Sequence, residues 1–421
     1  MLANTMGFGL AAALPAASRA ANGNTAALIG DWLTPFVAAR DFSGLVAVAP
    51  DGGVPSFVAL GHADFASRAP LTRSDRFGVE SVSKLFTVEG LKALDREGKL
   101  GLDDPLSRWL PTYPGAKEIT LRLLAQHRGG LARDLTDFES QWAIPHRLSD
   151  LVERCARIPP AGKPGGDVFY SNNGYRVLAR VMELAAGAPY GEVVRRTVLA
   201  PRGMTDTGEW SLGDRVPHLA HGATPGADWR SLRRPAPCDM TNLRGAASYY
   251  STVDDLLRFA ASRQPAETGS LKPRTSDGHD GRGHGFVALC YRYPVERISI
   301  VVLGNVESGL FDSLKSGIET IVFDGAVPKL RPPPQSPQIA QVSPDFPGAY
   351  DLFGSRLVIS RDTSGTWLID AGDGAQPAIA VAVDKLFFRM RYATITLVRS
   401  ADGVKLAWSE PSGAFELRKL A

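Results

Sequence analysis

The sequence predicts an α+β, multi-domain protein: an antiparallel sheet flanked by helices, with an additional all-helical lobe, followed by a small antiparallel β-barrel. Three observations support this class. Within residues 26–327, apolar runs typical of strands lie near both ends, and segments with helical spacing lie between them. Residues 328–345 are proline-rich and show neither pattern, so they are interpreted as a linker. Residues 346–421 contain short strand-like segments divided by Gly- and Asp-containing turns.

Residues 1–25 are interpreted as a leader or a partial signal peptide. They hold an alanine-rich apolar core followed by Ser18-Arg19-Ala20, which is typical of a signal-peptide cleavage region, but no basic segment precedes it. We expect export to the periplasm or the medium. The alternative is a cytoplasmic protein with an alanine-rich leader.

Four segments predict the sheet of the first domain and its last helix. Residues 43–64 contain two apolar runs around Asp51-Gly52-Gly53, which indicates a hairpin. The runs Phe286–Tyr291 and Ile298–Leu303 are expected to pair with each other and to join the same sheet. A helix over Leu310–Phe323 is expected to close the domain.

Helical spacing predicts the intervening lobe. Residues 148–158 and 174–200 show it, the second being interrupted near Gly187, and residues 201–245 favour loops. A cap at Ser251-Thr252 is expected to open another helix.

Composition excludes several classes of protein. The chain has 421 residues, 44% of them hydrophobic, a formal net charge of +3, and no apolar run of 18 residues. These values give no reason to expect nucleic-acid binding or a membrane span. Three cysteines without a C-x-x-C pair, and His218 and His221 without a third ligand, predict no metal site and no cofactor.

Ser81 and Lys84 begin the segment on which the functional prediction depends. They are three residues apart at the start of a helix with a broad apolar face, so their side chains project from the same side. A lysine can activate a serine hydroxyl only if burial or nearby charge lowers its pKa. The alternative is an amphipathic helix with a solvated lysine.

Two further segments favour a catalytic interpretation. Tyr170-Ser171-Asn172 lies between a Gly/Pro loop and a helix, where side chains often face a cleft. Gly278–Phe286 is dense in glycine and leads directly into a strand, so a ligand or another backbone can come close to its edge.

Together these segments resemble the serine β-lactamase and penicillin-binding-protein family, specifically its class C-like esterase and peptidase branch. Ser81-Val-Ser-Lys84 is similar to the family's S-x-x-K motif, and Tyr170-Ser-Asn172 to its Y-x-N motif. His279-Asp-Gly281 is similar to the H-x-G variant of its K-T-G strand. The resemblance covers about residues 40–325, and the C-terminal segment resembles the lipocalin-like barrels appended to some members.

The resemblance implies a role for each motif residue. Ser81 would be the nucleophile that forms an acyl-enzyme, with Lys84 and Tyr170 sharing the proton transfers. Asn172 would hydrogen-bond substrate and Lys84, and His279 and Gly281 would lie beside the bound substrate. The backbone N–H groups of Ser81 and Arg282 would form the oxyanion hole.

The expected substrate is a small or peptide-like ester, amide or lactam. A histidine in place of the usual lysine leaves less positive charge for a substrate carboxylate. About 17 residues between Ala260 and Gly278 also suggest a trimmed wall. Both favour an esterase or a D-amino-acid peptidase or amidase over a dedicated β-lactamase. The alternative is a binding or sensor protein that is acylated once or never.

Overall fold

A computed structural model describes residues 24–420, except 137, 227–230, 264–270, 333–341, 353–354, 372–374, 401–402 and 412. The predicted leader, apart from its last two residues, and the middle of the predicted linker lie outside the described residues. Export therefore stays a prediction. Within the described ranges, no helix is both long and apolar enough to cross a membrane.

The α-helices of the described residues are α1 (Asn24–Ala38), α2 (Ser83–Arg96), α3 (Leu121–Ala125), α4 (Leu148–Cys155), α5 (Asn172–Ala186), α6 (Tyr190–Val194), α7 (Val253–Ser262) and α8 (Phe311–Glu319). The strands before the linker are β1 (Gly44–Pro50), β2 (Ser56–Leu60), β3 (His62–Asp64), β4 (Ala69–Pro70), β5 (Phe77–Gly78), β6 (Gly208–Glu209), β7 (Thr224–Pro225), β8 (Leu232–Arg233), β9 (Tyr249–Ser251), β10 (Asp277–Gly283), β11 (Phe286–Tyr293) and β12 (Ile298–Gly304). The strands after it are β13 (Gly348–Leu352), β14 (Ser355–Arg361), β15 (Trp367–Asp370), β16 (Ala375–Ala382), β17 (Lys385–Phe388), β18 (Ala393–Ser400), β19 (Gly403–Glu410) and β20 (Gly413–Lys419).

A five-stranded antiparallel sheet in the order β10-β11-β12-β1-β2 forms the centre of the first domain. The predicted hairpin and the two predicted strands pair as expected. Both faces are buried, because alternate residues of β12 enter different cores: Val301 and Leu303 face the helical lobe, whereas Ile300 and Val302 face α1 and α8. The sheet is thus covered by helices on both sides.

β10 contains His279–Gly281, which the resemblance to the K-T-G strand implied, although the glycine-rich pattern of Gly278–Phe286 indicated only a segment that leads into a strand. The segment is itself the edge strand, paired with β11. Glycine is depleted in strands in general, but here it permits a close approach. A Cβ on Gly281 would lie 2.7 Å from the backbone nitrogen of Ser81, so only glycine fits at this position.

The helical lobe places the starts of α2 and α5 beside β10. A 3₁₀ turn, Glu80–Val82, precedes α2, so Ser81 lies just before the α-helix rather than in it. Gly98, with φ of +68°, follows the end of the helix. α5 is capped by Ser171, whose Oγ accepts a hydrogen bond from the Gly174 N–H, and α7 is capped by Thr252.

The C-terminal strands β13 to β20 form a closed antiparallel barrel around its own core. The predicted barrel is confirmed. The turn between β17 and β18 contacts the first domain. There, the buried Arg389 and Tyr392 side chains both donate hydrogen bonds to the buried Asp41 carboxylate, which follows α1.

Candidate active site

Ser81 is positioned at the junction of the helical lobe and the sheet. Its Oγ lies 3.0 Å from Lys84 Nζ and 2.8 Å from the Tyr170 hydroxyl. Lys84 comes from the first turn of α2, and Tyr170 from the loop before α5. The structure therefore brings the three expected catalytic residues into direct contact, although Tyr170 is 89 residues from Ser81 in the chain.

Lys84 is buried and fully hydrogen-bonded. Besides Ser81 Oγ, its Nζ donates to Asn172 Oδ1 at 2.8 Å and to the Ala246 carbonyl at 3.0 Å. Burial lowers the pKa of Lys84 to about 7, and the positive charge of Arg176 acts in the same direction. A substantial fraction of free amine is thus present at neutral pH, as a general base requires.

Tyr170 behaves differently from Lys84. Burial raises the pKa of Tyr170 to about 12, so the phenol keeps its proton at neutral pH. The ring of His127 stacks on Tyr170 with 4.4 Å between centroids, and its Nδ1 accepts a hydrogen bond from the Ser171 N–H. Burial lowers the pKa of His127 to about 4, so this imidazole adds no charge beside the phenol.

Asn172 connects the site to an ion pair that the sequence reasoning missed. Its Nδ2 donates to Asp134 at 2.8 Å, and Asp134 accepts from Arg176 Nη1 at 2.7 Å. The Arg176 side chain is fully buried. Asn172 and Arg176 are four residues apart on α5, so their shared helix face was the available signal. The pair fixes the amide whose oxygen accepts from Lys84.

β10 forms the opposite wall. The His279 ring lies 6.1 Å from that of Tyr170, and its Nδ1 is directed to the Asp280 carbonyl. Burial lowers the pKa of His279, so it supplies no fixed positive charge at neutral pH. Gly281 lies against the Ser81 backbone, and Arg282 lines the cleft, with its guanidinium 3.8 Å from Asp312.

Glu80 and His284 form a second unpredicted pair, directly before the nucleophile. Glu80 is almost completely buried and adopts φ of +48°, a left-handed conformation that is unfavourable for a residue with a Cβ. Its Oε2 lies 3.2 Å from His284 Nδ1. Burial raises the pKa of Glu80. Burial lowers the pKa of His284, but the charge and hydrogen bond of Glu80, together with those of Cys238, more than offset this and hold the pKa of that imidazole well above its usual value. The pair anchors the strained residue that sets the direction of the Ser81 N–H.

The cleft over Ser81 has a volume of about 210 Å³. Its lining combines the groups described above with a short segment of the loop after β8. The lining residues are Glu80, Ser81, Asp134, Trp142, Asn172, Ala236, Pro237, Cys238, Leu243, Ala247, Arg282 and His284. All seven sequence-predicted site residues therefore lie in or beside one small cleft.

Comparison with known proteins identifies the family of the chain. The family model described as Beta-lactamase matches residues 29–315, more than half of the chain. The chain belongs to the beta-lactamase family. This confirms the resemblance and the fold class inferred from the motifs. Penicillin-binding protein 4* of Bacillus subtilis (strain 168) is 29% identical over 313 residues, which are 64% of this chain and 69% of that protein. The chain spans little more than half the length of the other curated relatives considered.

Two solved structures share the fold. D-amino acid amidase from Ochrobactrum anthropi SV3, in complex with D-phenylalanine, has a TM-score of 0.58 at 23% identity and covers 68% of this chain and 92% of its own. SurE has a TM-score of 0.59 at 20% identity and covers 96% of this chain and 100% of its own. SurE has also been solved with D-Leu. The SurE match extends across the C-terminal barrel.

Proposed function

We propose that the protein is a serine hydrolase that cleaves a small D-amino-acyl amide or ester through an acyl-enzyme on Ser81. One observation carries the proposal: the Ser81 hydroxyl contacts a buried amine whose pKa is lowered to about 7. A solvated lysine would remain protonated at neutral pH and could not accept the serine proton. The alternative of an ordinary amphipathic helix does not require this burial.

In the first step, Lys84 would take the proton of Ser81 as Oγ bonds to the substrate carbonyl carbon. The carbonyl π electrons would move onto oxygen. Collapse of this tetrahedral species breaks the bond to the leaving nitrogen or oxygen, which takes a proton from the Tyr170 phenol. Lys84 then returns its proton to Tyr170. The raised pKa of Tyr170 supports its assignment as the proton donor rather than the resting base.

The negative oxygen would be held by the N–H groups of Ser81 and Arg282. Gly281 supports this assignment, because its missing Cβ is what lets β10 approach the Ser81 nitrogen. Donors of this kind stabilise the transition state by about 3 kcal/mol each. In the second step, water would attack the ester on Ser81 with Lys84 and Tyr170 again moving the protons.

The size of the cleft and the uncharged His279 on its wall support a D-amino-acyl substrate over a penicillin. A volume of about 210 Å³ is smaller than the roughly 300–1,000 Å³ of sites for drug-sized ligands, so a single amino-acyl group fits better. His279, with its lowered pKa, offers no cation for a lactam carboxylate. The related D-amino acid amidase and SurE, solved with D-phenylalanine and D-Leu, point to the same substrate class.

A fluorescent fluorophosphonate probe and a substrate panel test the proposal. We expect labelling of the native protein and of Ser74→Ala, an exposed-serine control, but not of Ser81→Ala. With D- and L-aminoacyl p-nitroanilides, p-nitrophenyl esters and nitrocefin, kcat/KM should be highest for a D-aminoacyl substrate. Labelling without turnover of any substrate would instead favour the sensor alternative, and faster nitrocefin hydrolysis would overturn the substrate assignment.

A further inference from the structure

A second, larger cleft of about 750 Å³ lies outside the Ser81 cleft. Four separate parts of the chain form it: the end of α1 and the residues after it, the turn around β3 and β4, the base of the hairpin β7–β8, and Val306 after β12. Its lining includes small residues, among them Gly61, Gly222 and Ala223. We call it the arginine cleft, because four arginines line it: Arg40, Arg68, Arg233 and Arg234.

The charge of the arginine cleft is not balanced locally. Within the described ranges, none of its four arginines lies within 4 Å of a carboxylate, and all four are exposed. The carboxylate that lines the cleft, Asp64, is already engaged by the Ala66 N–H, the Ser67 hydroxyl and, at 3.4 Å, His221. Like charges gathered around a concave surface repel one another and concentrate a positive potential there. An anion in the cleft would relieve this repulsion.

The kind of anion follows from the donors and the shape. A guanidinium presents a planar fork of N–H groups that matches two oxygens of a phosphate or a carboxylate. Four arginines from three segments of the chain favour a ligand with more than one such group. The volume is that of a small-molecule site. Nucleic-acid grooves instead alternate basic residues with aromatic rings for base stacking, and of the phenylalanines here Phe42 is buried, which leaves Phe65.

We propose that the arginine cleft is a second binding site, for a compact anion with two or more phosphate or carboxylate groups. The site is separate from the Ser81 cleft but adjoins it. Arg233 and Arg234 precede Ala236–Cys238, which line the Ser81 cleft, and Gly222 packs against the backbone of His284. The proposal does not depend on the reaction at Ser81.

Isothermal titration calorimetry at low salt tests it, with inorganic pyrophosphate and citrate as probes. The cleft variant combines Arg68→Gln, Arg233→Gln and Arg234→Gln. The control combines Arg147→Gln, Arg157→Gln and Arg215→Gln, which removes the same charge from exposed positions elsewhere. We expect at least one probe to bind the native protein and the control, with affinity at least tenfold lower for the cleft variant and falling as salt rises.

Each other outcome overturns the proposal. These outcomes are no binding of either probe to the native protein, equal binding by the cleft variant, or equal losses in both variants. Binding of a single-stranded oligonucleotide without binding of either small anion would assign the cleft to nucleic acid instead. Preference for pyrophosphate or for citrate decides between phosphate and carboxylate ligands. Thermal unfolding curves that match the curve of the native protein establish that both variants are folded.

Discussion

The Ser81 cleft and the arginine cleft lie side by side, but the charged side chains of the two clefts differ in burial and in hydrogen bonding. In the first, Lys84 is buried and every one of its N–H donors has an acceptor. In the second, the guanidinium groups are exposed and have no carboxylate partner within the described ranges. Burial gives the first site a shifted pKa and a fixed geometry. In the arginine cleft, exposure leaves the guanidinium groups accessible to a ligand from solution.

In this protein, the charged groups of the catalytic site are paired with other protein groups, whereas those of the proposed binding site are left to be paired by a ligand. Internal compensation orients groups before the substrate arrives, as Asp134 and Arg176 do for Asn172. Compensation left to the ligand gives affinity that depends on ionic strength.

Removal of the buried amine should have the largest effect. In Lys84→Met, a side chain of similar length without a base, we expect kcat/KM to fall by about 10³-fold or more, since general-base catalysis supplies roughly 10²–10⁴. Lys84→Arg should be equally impaired, because a guanidinium keeps its proton. Stopped-flow measurement of the acylation burst gives the rates. A loss below tenfold in Lys84→Met would show that another group accepts the serine proton.

The pH dependence should be the next largest effect. Because the free amine of Lys84 is the active form, kcat/KM should rise with pH and level off above its pKa of about 7. Two pH units below that value, we expect about a 100-fold loss. The pKa of His127 is lowered to about 4, so its titration cannot account for a rise in kcat/KM between pH 5 and pH 7. Circular dichroism over the same range controls for unfolding, and a rate independent of pH between 5 and 8 would contradict the assignment.

Loss of the ion pair behind Asn172 should destabilise the fold. Arg176→Leu leaves Asp134 without its buried partner, so we expect a loss of about 3 kcal/mol in the free energy of unfolding. This is the lower end for buried pairs, because Asp134 keeps some contact with solvent. Urea denaturation measures the change. Arg122→Leu, which breaks an exposed pair with Asp103, should change the unfolding midpoint far less, and similar shifts in the two variants would refute the distinction.

The smallest effect should come from the arginine cleft. The variant with glutamine at positions 68, 233 and 234 should hydrolyse a neutral p-nitrophenyl ester with kcat/KM within about twofold of the native value, since none of these side chains lines the Ser81 cleft. Steady-state kinetics at low and physiological salt check this. A tenfold loss on a neutral substrate would show that the two clefts are not independent.

The sequence predicted what depends on local spacing. Ser81 and Lys84 were recognisable because one helical turn fixes their separation, and the barrel strands because turn residues divide them. What it missed depends on segments that only the fold brings together. Glu80 and His284 are 204 residues apart in the chain. The arginines of the second cleft likewise come from distant positions, so their density is not visible in a sequence where 36 arginines are spread along the chain.

The pairing of β1 with β12 has a consequence for synthesis of the protein. Gly44 lies opposite Gly304, so β1 can pair with β12 only after about 250 more residues have been synthesised. At roughly 5–20 residues per second, the ribosome needs about 10–50 s to deliver it. During that interval one edge of β1, an apolar strand, has no partner and is open to pairing with other nascent chains. Expression yield should therefore depend on chaperones that cover this edge until the closing strand emerges.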